Sequence, residues 1–267
     1  MRQILFALLC VFAVTSLASG QDDAPPRQTD LVRKGLEQAT WTEVQSGLGL
    51  LRVLTPTGIS VSAYRISPEQ FEFSVAQQQL ETGSTAKQIG EARGAVLTSN
   101  GGFFAQSGSG RLYSVGYLRM GGRVFSKGWD RSGGLVSFVD GTIVLTPSHA
   151  GIPKGEFDVL QSKPMLIEPG GNWAMGSNSG ISKSRTVLCT LKSGDIILMI
   201  VSRAGLTLFE AGWLMRSKEQ GGFFDCDAAI ALDGGRSTQL WHAGEPQYSI
   251  VGGTPVNTFF VVLQRDE

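Results

Sequence analysis

The chain has 267 residues, of which 42% are hydrophobic and 17% are charged, and 35 are glycines. This apolar composition excludes intrinsic disorder for most of the chain, and the length suits one large domain that needs no metal or disulfide framework. The 23 Lys and Arg residues balance the 23 Asp and Glu residues. Because no block of basic residues stands out from this mixture, we expect no nucleic-acid partner.

The first twenty residues have the pattern of a secretory signal peptide. Arg2 precedes an apolar run over residues 4–14, which is too short to span a bilayer, and small residues at 18–20 offer a cleavage site. We therefore expect an exported protein, periplasmic or secreted, that begins near Gln21 and has no membrane segment after cleavage. Lipidation at Cys10 is a weaker alternative, since Leu9 stands where a lipobox needs a small residue.

Residues 21–58 are predicted to be an N-terminal leader and a peripheral segment. The stretch 21–27 is polar and contains proline, and a short helix is predicted over 30–40 because Val32 and Leu36 fall on one side. No internal repeat or low-complexity linker interrupts the rest of the chain, so residues 59–267 are expected to form a single domain.

Alternating apolar residues indicate strands from residue 59 onward. The stretches 59–63 and 71–75 alternate apolar and polar residues, as half-buried strands do. A short helix is predicted over 83–93, and an apolar strand at 95–97 leads into Asn100. The predicted fold class is α+β, with a β-rich mixed sheet core and a few helices.

Turn dipeptides separate further apolar runs in the middle of the chain. Asp140-Gly141 lies inside a hairpin predicted over 136–145, and Ser193-Gly194 joins two more strands. Gly121-Gly122 is a third tight turn. Two apolar strands, 228–232 and 256–263, are predicted near the end of the chain.

One helix has a clear sequence signature. Thr207 and Glu210 have the spacing of a capping box, so the helix is predicted to begin there. Gly221 is expected to end it, because glycine accepts the left-handed conformation that often follows a helix.

Export would place Cys189 and Cys226 in an oxidising compartment, where a disulfide can persist. Each cysteine lies in or beside an apolar run, so a disulfide and two buried thiols are both consistent with the sequence. The chain has only two histidines, His149 and His242, which excludes a His-rich zinc site. We expect no metal and no cofactor. A calcium site at residues 225–227 is disfavoured because the later ligands of a calcium loop are missing.

Two glycine-rich turns, each after an apolar strand, are the candidates for a functional site. Glycine pairs let backbone N–H groups approach a ligand, and the adjacent Asn or Asp supplies a directed polar group, which suits an anionic or sugar substrate. On these residues alone, ordinary hairpin turns are the favoured interpretation. The two turns are Asn100-Gly101-Gly102-Phe103-Phe104 and Asp233-Gly234-Gly235-Arg236-Ser237.

Together with motifs elsewhere in the chain, these turns resemble the ordered motif series of the phosphodiester glycosidase family. The similarity covers about residues 95–263, and the order and spacing of the motifs are more specific than any one of them. The other motifs are Gln161 to Leu166, Ser184-Arg185-Thr186, Leu206-Thr207-Leu208 and Pro255-Val256-Asn257. The resemblance implies a phosphodiester glycosidase-like domain over residues 59–267, which hydrolyses the bond between a sugar anomeric carbon and a phosphodiester.

The resemblance also implies roles for individual residues. Asp233 is the candidate carboxylate that stabilises an oxocarbenium-like transition state, and Arg185 is the candidate clamp for the phosphate. We expect the strand over 228–232 to return beside the strand of Arg185, so that these two catalytic candidates meet at one sheet edge. The candidates for binding the sugar or phosphate oxygens are Asn100, Gly101, Gly102, Gln161, Gly234, Gly235, Arg236 and Ser237.

The sequence departs from the family pattern at two positions, and both changes add a cation. Arg236 replaces the third glycine of the usual Asp-Gly-Gly-Gly-Ser loop, and Lys163 stands where the family has Gly in a Gln-x-Gly-Pro pattern. These cations either adapt the site to more anionic substrates or mark a relative that has lost activity. The alternative function is therefore a non-catalytic glycan- or phosphoglycan-binding protein on the same scaffold.

Three tryptophans are further candidates for stacking on a sugar ring. These are Trp129, Trp173 and Trp241. Core or turn packing explains each of them equally well.

Overall fold

The computed structural model describes residues 25–129, 131–178 and 180–265. The predicted signal peptide lies outside the described residues. The helices are α1 (Arg27–Gln38), α2 (Ala86–Arg93) and α3 (Leu208–Met215). The strands are β1 (Thr42–Gln45), β2 (Leu48–Leu54), β3 (Ile59–Ile66), β4 (Phe71–Gln77), β5 (Leu97–Asn100), β6 (Phe104–Gln106), β7 (Leu112–Ser114), β8 (Leu118–Met120), β9 (Arg123–Ser126), β10 (Gly134–Val139), β11 (Thr142–Pro147), β12 (Asp158–Ser162), β13 (Met165–Glu168), β14 (Asn172–Trp173), β15 (Lys183–Leu191), β16 (Ile196–Leu206), β17 (Cys226–Ala231), β18 (Leu240–His242) and β19 (Thr258–Gln264).

Antiparallel sheets dominate the fold, which confirms the predicted α+β class with a β-rich core. The largest sheet has eight strands in the order β1-β2-β3-β16-β15-β17-β13-β14. A five-stranded sheet (β11-β10-β12-β8-β9), a four-stranded sheet (β18-β5-β19-β4) and the pair β6-β7 complete the described structure. Among the described residues, no helix is both long enough and apolar enough to cross a membrane.

The central strands of the eight-stranded sheet are buried on both faces. On β16, Ile197, Met199 and Val201 pack in one cluster with α1 and α3. Residues 196, 198 and 200 face the other way, into a cluster shared with the four-stranded and five-stranded sheets. This double burial explains why β16 is a continuous apolar run rather than an alternating one.

The segment predicted to be peripheral is part of the main sheet. β2 pairs with β3 over its whole length, and Leu48 and Leu51 are fully buried on opposite faces. The run of apolar residues in β2 hid the alternation on which the prediction relied. Helix α1 is also anchored, because Val32 and Leu36 are buried under the same sheet.

Helix α3 begins as predicted and ends earlier than predicted. Thr207 and Glu210 form both hydrogen bonds of a capping box. The helix stops at Met215 instead of continuing to Gly221, because the N–H groups of Phe223 and Phe224 both donate to the Leu214 carbonyl (3.0 and 2.9 Å). A continuing helix would need that carbonyl for its own hydrogen bond.

A disulfide joins Cys189 on β15 to Cys226 on β17, with 5.8 Å between the Cα atoms. The structure therefore contains the disulfide, not two thiols. The bond connects the two strands whose other ends carry Arg185 and Asp233.

Loss of this disulfide should destabilise the fold. The bond closes a chain segment with a sequence separation of 37, for which the chain-entropy model gives about 4 kcal/mol of stabilisation. We expect the C189A/C226A variant to lose about 2 to 4 kcal/mol of unfolding free energy in urea titrations. Reductant should lower the midpoint of the parent and leave that of the variant unchanged. Equal midpoints for the oxidised and reduced parent would show that the bond does not form.

Candidate active site

Arg185 and Asp233 lie at neighbouring ends of adjacent strands. β15 and β17 pair antiparallel with Val187 opposite Ala231, and the N–H of Leu232 donates to the Thr186 carbonyl (2.9 Å). Extending this register by two residues places Asp233 opposite Arg185, and opposite residues of an antiparallel pair project to the same face. The predicted return of the 228–232 strand beside the strand of Arg185 is thus confirmed.

The turn after β17 lies directly against the Arg185 side chain. A Cβ atom added at Gly234 would stand 3.7 Å from both the Cδ and Nη1 atoms of Arg185, and 2.9 Å from the Ser184 carbonyl oxygen. Glycine is therefore needed here because the neighbouring backbone is close. Because the Gly234 backbone lies so close to the Arg185 side chain, one small ligand can contact both the Asp233 turn and the guanidinium group.

Asn100 connects three parts of the site through its side-chain amide. Its Nδ2 donates to the Asp233 carbonyl (2.7 Å), and its Oδ1 accepts from Thr186 Oγ1 (2.7 Å) and from the Gln239 N–H (3.2 Å). The side chain is fully buried. Asn100 therefore has a structural role, because its side chain holds the strand ends together by hydrogen bonds. Its role in binding substrate stays a prediction.

The Gly101 and Gly102 N–H groups both bond to Thr258 on β19. Gly101 donates to the Thr258 carbonyl (2.7 Å) and Gly102 donates to Thr258 Oγ1 (3.0 Å). The Gly101 carbonyl in turn accepts the N–H of Asp233 (3.0 Å). The two glycine-rich turns therefore meet, but these two N–H groups hold the turn to the sheet.

The Asp233 carboxyl is partly buried, and burial is the main influence on its pKa. Desolvation raises this pKa above the ordinary value, while hydrogen bonds from Ser237 and the Gly234 N–H, and the charge of Lys183, act to lower it. The Gly234 N–H donates to Asp233 Oδ1 at 2.8 Å. The fold thus keeps a carboxyl group in a poorly solvated position beside a cation, as active sites commonly do.

The Arg185 guanidinium is fixed by two backbone carbonyls. Its Nε donates to Leu206 (2.8 Å) and its Nη2 donates to Ile181 (2.7 Å). Within the described residues, Nη1 has no such partner. Burial lowers the pKa of Arg185 and the charge of Glu210 acts to raise it, but an arginine remains charged under all physiological conditions.

Sequence reasoning missed two charged residues at this site. Lys183 stands two residues before Arg185, and its charge acts on the pKa of Asp233. Glu210 was assigned only as the capping residue of α3, yet it is buried and its charge acts on Arg185. The capping motif predicted that Glu210 lies in the first turn of α3, but it did not indicate that Glu210 lies near Arg185 on β15.

Gln161 is buried under the loops of the five-stranded sheet, and every polar atom of its side chain has a protein partner. Oε1 accepts from the Tyr117 and Trp129 N–H groups (both 2.9 Å). Nε2 donates to the Trp129 and Ser132 carbonyls and to Ser148 Oγ (all 3.0 Å). Gln161 therefore shapes the wall of a neighbouring pocket, and direct contact with substrate stays a prediction.

The remaining turn candidates differ in exposure. Ser237 is buried, and its side chain hydrogen-bonds to Asp233. Arg236 is exposed, and its Nη2 donates to the Gly253 carbonyl (2.9 Å). Gly235 has a positive φ of 63°, which favours glycine, and it begins a short 3₁₀ turn.

Of the three candidate tryptophans, Trp129 contacts a family motif. Its ring packs edge-on against Phe103 of the first glycine-rich turn, with 5.7 Å between centroids. Trp173 belongs to an aromatic cluster with Phe209 and Trp213, and Trp241 packs against Gly90.

A family model for phosphodiester glycosidases matches residues 93–263, which is more than half of the chain. The protein therefore belongs to the phosphodiester glycosidase family, as the motif series indicated. A comparison with curated proteins found no match.

Solved structures share the fold at low sequence identity. The catalytic domain of zebrafish N-acetylglucosamine-1-phosphodiester alpha-N-acetylglucosaminidase, auto-inhibited by its pro-peptide, has a TM-score of 0.61 at 15% identity, over 85% of this chain and 87% of that chain. A hypothetical protein from Synechocystis gives 0.60 at 14% identity and covers 91% of this chain, which spans 64% of that protein. A Burkholderia pseudomallei protein named as exported gives 0.56 at 14% identity, over 77% and 74%.

Replacing Asn100 should destabilise the protein. The Asn100→Ala variant leaves the Thr186 hydroxyl, the Gln239 N–H and the Asp233 carbonyl without their partner, and each buried unpaired group costs about 1 to 3 kcal/mol. We expect a loss of about 3 kcal/mol or more in urea unfolding.

Thr98→Val on the same strand is the matched control for Asn100→Ala. The Thr98 side chain is fully buried, and its hydroxyl has no hydrogen-bond partner among the described residues. The control should therefore keep the stability of the parent. Equal stabilities for Asn100→Ala and the control would show that the hydrogen bonds of Asn100 do not stabilise the fold.

Proposed function

We propose that the protein is an exported hydrolase that cleaves the bond between a sugar anomeric carbon and the phosphate of a phosphodiester. The observation that carries this proposal is the placement of Asp233 opposite Arg185 at adjacent strand ends. A carboxylate and a fixed guanidinium at opposite positions of paired strand ends complement the two charges of the transition state, which are positive at the sugar and negative at the phosphate. Family membership supports the same reaction class.

Arg185 would bind the phosphate in this reaction. Backbone carbonyls hold Nε and Nη2, so the guanidinium is oriented before substrate arrives, and Nη1 lies on the side of the Gly234 turn. Charge-assisted hydrogen bonds to phosphate oxygens strengthen as negative charge accumulates on the leaving group. The departing phosphate is a stable anion, so it requires little help from a general acid.

Asp233 would act as the carboxylate that stabilises the sugar. When the bond from the anomeric carbon to the phosphate oxygen breaks, its electron pair leaves with the phosphate, and positive charge develops on the sugar ring. Water then supplies the oxygen that bonds to the anomeric carbon, and its proton passes to solvent. This role requires Asp233 to be ionised, so activity should fall as pH drops through its raised pKa.

Export is also part of the proposal. The Cys189–Cys226 disulfide is typical of proteins from oxidising compartments. The predicted cleavage near Gln21 would release the domain to the periplasm or the medium.

A turnover assay separates this function from that of a non-catalytic glycan- or phosphoglycan-binding protein. The substrates are p-nitrophenyl sugar-1-phosphodiesters and UDP-linked sugars, and release of the free sugar is measured. Hydrolysis by the parent supports the proposal. Saturable binding of these compounds without any turnover would favour the binding protein.

Asp233→Asn should abolish activity without destabilising the fold. The loss of a stabilising charge is expected to lower kcat/KM by about 100-fold or more. The pKa of Asp233 is raised in the folded state, so its contribution to stability is present below the ordinary value and is lost as pH rises through the raised pKa. At neutral pH the ionised carboxylate therefore costs stability, and the variant should melt at the same temperature as the parent or higher.

Asp140→Asn is the matched control for Asp233→Asn, because Asp140 also precedes a turn glycine but is exposed. It should keep full activity. Parent-like rates in Asp233→Asn, or equal losses in both variants, would reject the catalytic assignment.

Arg185→Lys tests the phosphate clamp. Lysine keeps the positive charge, but it lacks the planar guanidinium group that can donate to the Leu206 and Ile181 carbonyls and to the phosphate at the same time. We expect kcat/KM to fall about tenfold or more, the value of one charge-assisted hydrogen bond. Arg65→Lys is the control, since Arg65 is exposed and pairs with Asp195 on the surface. An equally small effect in both variants would place Arg185 outside the site.

A further inference from the structure

A second feature lies next to the first glycine-rich turn. A pocket of about 440 Å³ is lined by Tyr117, Lys127, Trp129, Arg131 and His149, among others. We call it the cationic pocket.

The cationic pocket is connected to the candidate active site through two contacts of Trp129. The Phe103 ring of the glycine-rich turn packs edge-on against one part of Trp129, at 5.7 Å. The Lys163 ammonium group lies 4.2 Å from the Trp129 ring centroid. Lys163 precedes Pro164, whose carbonyl accepts the N–H of Ala231, two residues before Asp233. Trp129, which lines the cationic pocket, therefore contacts both the first glycine-rich turn and the segment that is hydrogen-bonded to β17.

The charges of the pocket are not neutralised by the described part of the chain. Lys127 and Arg131 are exposed, and neither has an ion-pair or hydrogen-bond partner among the described residues. Other cations do have acidic partners, as Arg33, Lys34 and Lys87 show. None of the described residues that line the pocket is acidic; Asp130 is not among the described residues.

The wall of the pocket is held in place before any ligand arrives. Gln161 accepts from the Tyr117 and Trp129 N–H groups, and it donates to the Trp129 carbonyl and to Ser148 beside His149. A preorganised wall lowers the entropic cost of binding. The cations can bind a phosphate group, and the Trp129 ring can stack against a sugar attached to that phosphate.

We propose that the cationic pocket binds a second phosphate group of the substrate, beyond the scissile phosphodiester. This inference rests on the proposed function, because it extends the same site. Lys127 and Arg131 contact the second phosphate, and Lys163, a departure from the family pattern, adds a third cation against the Trp129 ring. The substrate class is thus a molecule with at least two phosphates, such as an oligomer of sugar phosphates, rather than a simple sugar-1-phosphodiester.

Calorimetric binding of tripolyphosphate tests the pocket without any need for turnover. The pocket variant is K127Q/R131Q, and the matched control is R93Q/K192Q, which removes the same charge from two exposed positions elsewhere. We expect the pocket variant to bind about tenfold or more weakly than the parent, and the control to bind within about twofold. The parent should also bind more weakly as salt increases. No binding by the parent, or equal losses in both variants, would overturn the proposal.

A turnover measurement then tests the substrate class. The ratio of kcat/KM for a substrate with two phosphates over one with a single phosphodiester should exceed one in the parent and fall in the pocket variant. An unchanged ratio would overturn the proposal. If the protein hydrolyses neither substrate, the proposed function fails, while the calorimetric comparison still decides whether the pocket binds phosphate.

Discussion

The hydrogen bonds of one buried amide, that of Asn100, determine the geometry of the site. The Asn100 side chain connects the end of β5 to Thr186 on β15, to the turn after β17 and to Gln239. These segments come from distant parts of the chain, and no regular sheet pairing holds all of them together. Because Thr186 and Gln239 are buried and Asp233 is partly buried, breaking the arrangement would leave several poorly solvated polar groups unpaired. The positions of Arg185 and Asp233 therefore depend on a residue that is not itself charged.

The partial burial of Asp233 has an electrostatic consequence. Its carboxyl group follows the buried strand β17, and desolvation raises its pKa. The Ser237 hydrogen bond and the Lys183 charge act in the opposite direction and keep ionisation accessible. A partly desolvated carboxylate such as that of Asp233 interacts more strongly with a nearby charge than an exposed one does, because water screens it less.

The sequence was informative where structure is determined by local interactions. The capping box at Thr207 forms as predicted, and the Asp140-Gly141 turn closes the predicted hairpin. The end of α3 was wrong because the competing hydrogen bonds come from Phe223 and Phe224 further along the chain. The family motifs marked two turns that meet in the fold, but they did not reveal that the side-chain polar atoms of Asn100 and Gln161 are hydrogen-bonded to protein groups. Such roles depend on distant partners, which residue spacing does not show.

The two added cations differ in what the fold does with them. The Arg236 side chain donates to the Gly253 carbonyl, and the Gly253 N–H donates to the Arg236 carbonyl. Arg236 therefore connects its own loop to the loop of Gly253. Lys163 instead lies over the face of Trp129, where its charge remains available because a cation–π contact does not neutralise it. A loss of activity would relax constraints on both positions equally. Both residues keep their charge, but Arg236 is held in a loop contact, whereas Lys163 lies against Trp129, which lines the cationic pocket, and this difference supports the proposal of a more anionic substrate.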